Sequence, residues 1–162
     1  MALFISENDI RNNTAVAANV DASFLIPYID VAQDSWFRPF LGDALFNQLV
    51  TQVDTSTVST ANQTLLDLIK DSLCWYSYYE ALPWIHYKTT NKGVMAKSSA
   101  NSDPVDLDIL NYLRTNSKEI ALQKRAAVER FLNNNRTTYP LYRPEDDCSF
   151  DETNNDYPIC FY

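Results

Sequence analysis

The chain has 162 residues, 46% of them hydrophobic, with 13 Lys+Arg against 21 Asp+Glu and a formal net charge of −8. That length suits one domain and buries enough surface to need no metal or disulfide staple. Its two glycines, Gly42 and Gly93, and its single histidine, His86, exclude a glycine-rich phosphate cradle, a HExxH metal site and any histidine-pair mechanism.

In chain order, Ser6 caps a short helix over 7–13, with Glu7 and Asp9 in its first turn. Asp21 caps a longer helix from Ala22 to about Phe37, in which Leu25, Tyr28, Ile29, Ala32 and Trp36 recur every three or four residues. Pro27 lies near its start, and Pro39 and Gly42 break the chain after it. A third helix, from Asp43 to about Val53, aligns Leu45, Phe46, Leu49 and Val53. The polar, β-branched run from Asp54 reads as a loop.

A fourth helix begins near Thr60 and carries Leu65, Leu66, Ile69, Leu73, Tyr76 and Glu80 towards Trp84, where Pro83 should kink or end it. The Thr89–Val94 turn then joins two short strands, Ile85–Lys88 and Val94–Lys97. After a polar linker over 98–103, Asp103-Pro104 starts a helix running through Val105, Ile109, Tyr112, Leu113, Ile120, Ala127, Val128 and Phe131 to about Asn133. That stretch is either one long helix or two helices broken near Thr115-Asn116-Ser117. From Thr137 to Tyr162 there is no periodicity, and the segment reads as an extended arm. The fold class is all-α: a bundle of about four to five helices, a short β-hairpin near 85–97 and an extended C-terminal arm. The helical domain spans 1–142 and the arm 143–162.

Charge is unevenly placed: net −7 over residues 1–84, +5 over 85–143 and −6 over 144–162. Overall acidity opposes sequence-independent nucleic-acid binding. Acidic ends around a basic middle favour attraction between copies or to a polarised partner. Cys74, Cys148 and Cys160 show no CxxC spacing. Cys74 reads as a buried hydrophobe, while Cys148 and Cys160 are left open between free thiols, a pair and a shared metal. The first residues lack the charge, apolar stretch and cleavage site of a signal peptide, and no apolar run approaches membrane-spanning length. The expectation is a cytosolic chain with reduced thiols and no membrane partner.

Candidate chemistry is thin. His86, between Ile85 and Tyr87, reads as a packing residue before it reads as a general base. Asp30/Asp34 and Asp67/Asp71 are i,i+4 carboxylate pairs, and Asp106/Asp108 lie two apart and diverge. Such pairs run glycoside hydrolysis in some enzymes, but on a helix they more often form a solvated face. Trp75, Tyr76, Tyr78, Tyr79, Trp84 and Tyr87 place six aromatics within thirteen residues. A helix aromatic all round is buried on several sides, partly by neighbouring subunits, in preference to forming a ligand cage. Lys118, Lys124, Arg125 and Arg130 form either a solvated face or a dock for the acidic stretch 145–156 of an adjacent copy. The closing Tyr157-Pro158-Ile159-Cys160-Phe161-Tyr162 is too apolar for a solubilising tail and needs a surface to cover it. No catalytic, cofactor-binding or metal-ligating residue is assigned.

The opening Phe4-Ile5-Ser6-Glu7-Asn8-Asp9-Ile10, then Asn19-Val20-Asp21 and Ala32-Gln33-Asp34, resembles the head–tail connector (neck adaptor) proteins of tailed bacteriophages. Leu41-Gly42-Asp43-Ala44-Leu45-Phe46, Tyr87-Lys88-Thr89-Thr90-Asn91-Lys92-Gly93-Val94 and Tyr139-Pro140-Leu141-Tyr142 extend the resemblance over about residues 4–142. It is most like the ring-forming versions of crAss-like phages, through order and spacing and without a diagnostic motif. The resemblance implies a helical, non-enzymatic virion subunit, assembled in the bacterial host cytoplasm and resident in the neck. It implies a ring, twelve-fold in the typical case, that binds portal and other neck or tail ring proteins and passes DNA without sequence-specific binding. Thr90, Asn91, Lys92, Gly93 and Val94, with the residues after Tyr139, are carried over as inter-subunit elements. Lys124, Arg125, Tyr157, Ile159, Phe161 and Tyr162 join them as interface candidates on the physical argument alone. The competing readings are a small helical enzyme using Asp30, Asp34 or Glu80, and a monomeric helical module holding a ligand in its aromatic cluster.

Overall fold

A computed structural model of the protein describes residues 2–16, 20–90, 93–96 and 106–143. The fold is all-α, built as a bundle of helices with one small hairpin. Helix α1 spans Glu7–Asn13 and opens on a capping box: the Ser6 side chain accepts from the Asp9 backbone N–H, and the Asp9 carboxylate accepts from the Ser6 N–H. Helix α2 spans Ala22–Ala32, and the Asp21 carboxylate accepts from Ser23 N–H at its start. Both starts agree with the pattern of cap residues and early acids.

The end of α2 differs from the sequence expectation. It runs into a π turn, Gln33–Phe37, and then into a further helical turn, α3, Arg38–Leu41. Pro39 therefore sits inside a helical turn and does not break the chain. The wider turn makes this tolerable: Arg38 N–H donates to Gln33 C=O five residues back, just ahead of a proline that has no N–H to give. The extra residue also turns Gln33 and Phe37 both inward, where both are fully buried. The break comes at Gly42, whose φ of +78° lies in the left-handed region.

Helix α4, Asp43–Asp54, ends in a Schellman arrangement. Ser56 takes φ 54°, Thr57 N–H donates to Gln52 C=O, and Ser56 N–H donates to Val53 C=O. Helix α5, Thr60–His86, is capped by Ser59 and passes through Pro83 without ending there. Ile85 and His86 are thus helical residues and not strand residues. The hairpin begins one step later, with β1 Tyr87–Thr90 pairing antiparallel with β2 Gly93–Ala96 and Tyr87 opposite Ala96. Helix α6, Leu107–Asn134, is continuous through Thr115-Asn116-Ser117. Asp103-Pro104, placed at its start from the sequence, lie outside the described residues, and Asp106 occupies the cap position.

Helix α5 is the axis of the bundle, in contact with α6, α2 and α1. It runs antiparallel to α6: Ser72 hydroxyl donates to Ala121 C=O, Lys124 pairs with Asp71, and Arg114 lies over Tyr79. Leu25, Ile29, Phe37, Leu41, Leu45, Phe46, Leu49, Leu65, Ile69, Leu73 and Tyr76 are fully buried in one core. The chain after α6 is a second correction. Residues 137–142 are not an arm: Tyr139 and Tyr142 are buried, and Tyr139 hydroxyl donates to Ala61 C=O at 2.6 Å. Two tyrosines three apart flanking Pro140 carry no helical or strand period, so the packing had no repeating pattern to announce it.

Candidate interface surfaces

The carboxylates singled out from the sequence are dispersed and mostly engaged. Asp34 bridges Arg38 at 2.8 Å, Asp71 bridges Lys124 at 3.1 Å, Asp67 accepts from the Gln63 amide, and Glu80 accepts from the Trp36 indole N–H at 2.9 Å. Asp30 is exposed on α2, and Asp108 is exposed in the first turn of α6. His86 is half-buried as the last residue of α5. Among the described residues no group of three or more His, Cys, Asp or Glu could hold a metal ion. Cys74 is fully buried, and burial pushes its thiol up to about 12, with Asp9 and Asp71 adding to the shift. Such a thiol stays protonated and inert in the folded chain.

The aromatic cluster of α5 divides between two faces. Tyr76 and Tyr79 meet the π turn: the Trp36 ring stacks on Tyr76 at 4.6 Å and 14° and meets Tyr79 edge-on, and Phe37 abuts Tyr76 at 6.0 Å. The Tyr76 hydroxyl is buried with no hydrogen-bond partner, and burial raises its pKa while the charge of Arg125 opposes the rise. Trp75 and Tyr78 lie on another side, paired edge to face at 6.0 Å and only half-buried.

Cations from α6 cover the first face. Arg114 lies over Tyr79 at 4.4 Å, Lys118 over Trp36 at 5.1 Å, and Arg125 over Phe40 at 5.3 Å. Their spacings of four and seven put them on one flank of α6, so one helix face clamps rings of the π turn, α3 and α5. Lys124 and Arg125, proposed from sequence as a dock for an acidic tail, thus each have a contact within their own chain. Arg130 stands exposed on the outer side of α6.

Thr90 and Gly93 form the last pair of the hairpin and Thr89 faces Val94. Asn91, Lys92, Tyr157, Ile159, Phe161, Tyr162, Cys148, Cys160 and the acidic stretch 145–156 lie outside the described residues. At the hairpin end of the helix pair the first turns of α6 expose Leu107, Ile109 and Tyr112, at 58%, 54% and 69%, and α5 exposes Trp84. These are large apolar side chains in water, the kind of surface that marks an interaction site.

Sequence reasoning missed Gln33. Its amide accepts from Phe4 N–H and donates to Ala2 C=O, both at 2.9 Å, which ties the extended start of the chain to the π turn. The available signal was its place in the apolar stripe of α2, because a polar residue on a buried stripe must carry hydrogen bonds.

Four of the six short matches that carry the phage-connector resemblance meet in two pairs. Ala32-Gln33-Asp34 holds the Phe4–Ile10 opening through Gln33. Leu41–Phe46 meets the Tyr139–Tyr142 turn, Leu45 lining one cleft with Tyr139 and Leu141, and the adjoining residues lock them: Arg143 N–H donates to Leu41 C=O, Phe40 packs on Tyr142, and a Cβ on Gly42 would fall 1.9 Å from Arg143 C=O. The fold and these surfaces define a small all-α bundle stabilised from its corners, with apolar side chains left outward at one end. The family model for DUF6712, a family of unknown function, matches residues 37–152, and the chain belongs to that family. No curated protein and no solved structure matches it.

Proposed function

We propose that the chain is a non-enzymatic structural subunit of a tailed-phage neck. It forms a ring in the head–tail connector that joins portal to tail components and extends the DNA channel. The observation that carries this reading is the meeting of four of the six resembling segments in two pairs. Residues 4–10 with 32–34, and 41–46 with 139–142, are fragments remote in sequence that build two corners of one bundle. Short matches of that kind are expected where a shared fold constrains its corners. The outward Leu107, Ile109 and Tyr112 beside the hairpin add surface suited to a neighbouring protein. The dispersed carboxylates give less support to the carboxylate-enzyme alternative, since Asp34, Asp71 and Glu80 already serve as partners for Arg38, Lys124 and Trp36.

The test is cryo-imaging of purified particles together with mass-spectrometric composition of the neck. The expected result is this chain in multiple copies between portal and tail. Particles that contain none of it would overturn the proposal.

A further inference from the structure

Three cations of α6 carry charge that the bundle leaves unmatched. Arg114, Lys118 and Arg125 are half-buried on one flank of the helix, each over a ring: Tyr79 at 4.4 Å, Trp36 at 5.1 Å and Phe40 at 5.3 Å. Among the described residues none of the three forms an ion pair. The pairs are Arg38 with Asp34 and Asp43, Lys70 with Asp9, and Lys124 with Asp71. Two acids adjoin the row, neither within ion-pair distance of it: Glu80, which accepts from the Trp36 indole N–H, and Glu129, one turn beyond Arg125. A ring covers one side of a guanidinium or ammonium and leaves N–H groups free at its edge, so a stacked cation can still take a carboxylate.

The chain itself supplies a matching segment. Residues 145–156 hold six carboxylates, Glu145, Asp146, Asp147, Asp151, Glu152 and Asp156, and no Lys or Arg. They lie outside the described residues, but the point from which they leave is fixed. Arg143 N–H donates to Leu41 C=O, and Tyr142 packs on Phe40, the ring beneath Arg125. The segment therefore starts one ring away from the end of the row. From Arg125 to Arg114 the helix rises about 17 Å. Twelve extended residues reach up to about 40 Å, enough to pass all three cations. So short a tether holds the carboxylates at an effective concentration on the order of millimolar, which a free acidic chain must exceed to compete.

We propose that residues 145–156 dock within their own chain on the Arg114/Lys118/Arg125 flank of α6, their carboxylates accepting from the N–H edges of the stacked cations. The dock differs from the one the sequence outlined. Lys124 is taken by Asp71 and Arg130 stands on the outer side of the helix, while Arg114 joins the row. The contact needs no second copy, so it stands or falls apart from the neck reading.

The test is zero-length carbodiimide cross-linking of the full chain, which joins an ammonium to a carboxylate it touches. It is mapped by mass spectrometry on an equal mixture of unlabelled and isotope-labelled chains. Lys118 should be joined to acids of 145–156 at least about fivefold more than Lys70 is, within peptides of one label, because only Lys118 has the tethered acids at hand. The excess should vanish in about 1 M sodium chloride. A second measurement is cleavage after Glu145 and Glu152 by a glutamate-specific protease. The double variant Arg114→Gln/Arg125→Gln, its fold checked by circular dichroism, should speed that cleavage severalfold and lower the Lys118 links. The triple variant Asp146→Asn/Asp147→Asn/Asp151→Asn, which alters no residue of the bundle, should speed cleavage after Glu152 in the same way. The proposal is overturned if Lys118 links to these acids no more than Lys70 does, if unlike labels are joined as often as like ones, or if the triple variant is cleaved at the parent's rate.

Discussion

Helices α5 and α6 are nearly equal in length, 27 and 28 residues, and their two ends are treated differently. At the end where α5 begins and α6 finishes, polar groups and rings interlock. Ser59 caps α5, the Asn62 amide donates to Gln52 at 2.7 Å, Tyr139 hydroxyl reaches Ala61 C=O, and the Phe131 and Tyr139 rings lie 5.7 Å apart. At the other end α5 gives way to the hairpin and α6 opens with Leu107, Ile109 and Tyr112 facing outward. The first end holds the fold through these hydrogen bonds and ring contacts. The second spends apolar side chains on water, which adds nothing to an isolated chain. Its surfaces suit an interaction between molecules.

Three substitutions would break or sharpen this contrast. The largest expected effect is at the interlocked end. Gly42→Ala places a Cβ 1.9 Å from the backbone carbonyl of Arg143 at φ +78°, so the α3–α4 corner and the Tyr142 turn must separate. A loss of about 3 kcal/mol is expected, read by urea unfolding. A loss below about 1 kcal/mol would mean that the corner yields and the two ends differ less than described.

Asp9→Ala comes next, at the junction of α1 with the first half of α5. Burial alone would raise the Asp9 carboxyl, but hydrogen bonds from Ser6 and the Lys70 ammonium at 3.1 Å outweigh it and hold the pKa below 3.8. A carboxyl with a depressed folded pKa contributes stability above its unfolded value and loses it as pH falls through the folded one. The variant should therefore lie about 1 kcal/mol below the parent at neutral pH, mostly through the lost carboxylate half of the capping box and the lost pair with Lys70. The gap should close as acid titrates the parent's carboxyl, and a gap that persists unchanged in strong acid would contradict the assignment.

The smallest effect belongs to the open end. Tyr112→Ser removes a side chain that is 69% exposed, so the isolated chain should change by no more than about 0.5 kcal/mol. A loss of about 2 kcal/mol or more would show that Tyr112 is packed within its own chain, and the contrast between the ends would fail.

The helices were legible where period and caps agreed. Ser6, Asp21 and the Leu45/Phe46/Leu49 stripe each define an element from local chemistry, and the structure has those elements in place. The proline rules misled at Pro39, and at Pro83 only the possibility that the helix ends there was removed. A π turn rearranged the bonding ahead of Pro39, and α5 carried on past Pro83. The candidate surfaces were legible in outline. A helix with aromatics on every side was expected to be covered from several directions, and Tyr76 and Tyr79 are covered by the chain itself while Trp75 and Tyr78 are half-covered. Which aromatic goes to which side depends on the neighbours of α5, and no local pattern encodes that.

The sequence by itself determined the all-α class and the starts of α1, α2 and α5, because caps and periods are local properties. Only the tertiary structure decided that Gln33 would anchor the chain start, that Tyr139 and Tyr142 would close the bundle, and that the α6 cations would lie on rings 35 to 85 positions away. Those contacts join residues remote in sequence, and their energy exists only once α5 has brought the other helices around it.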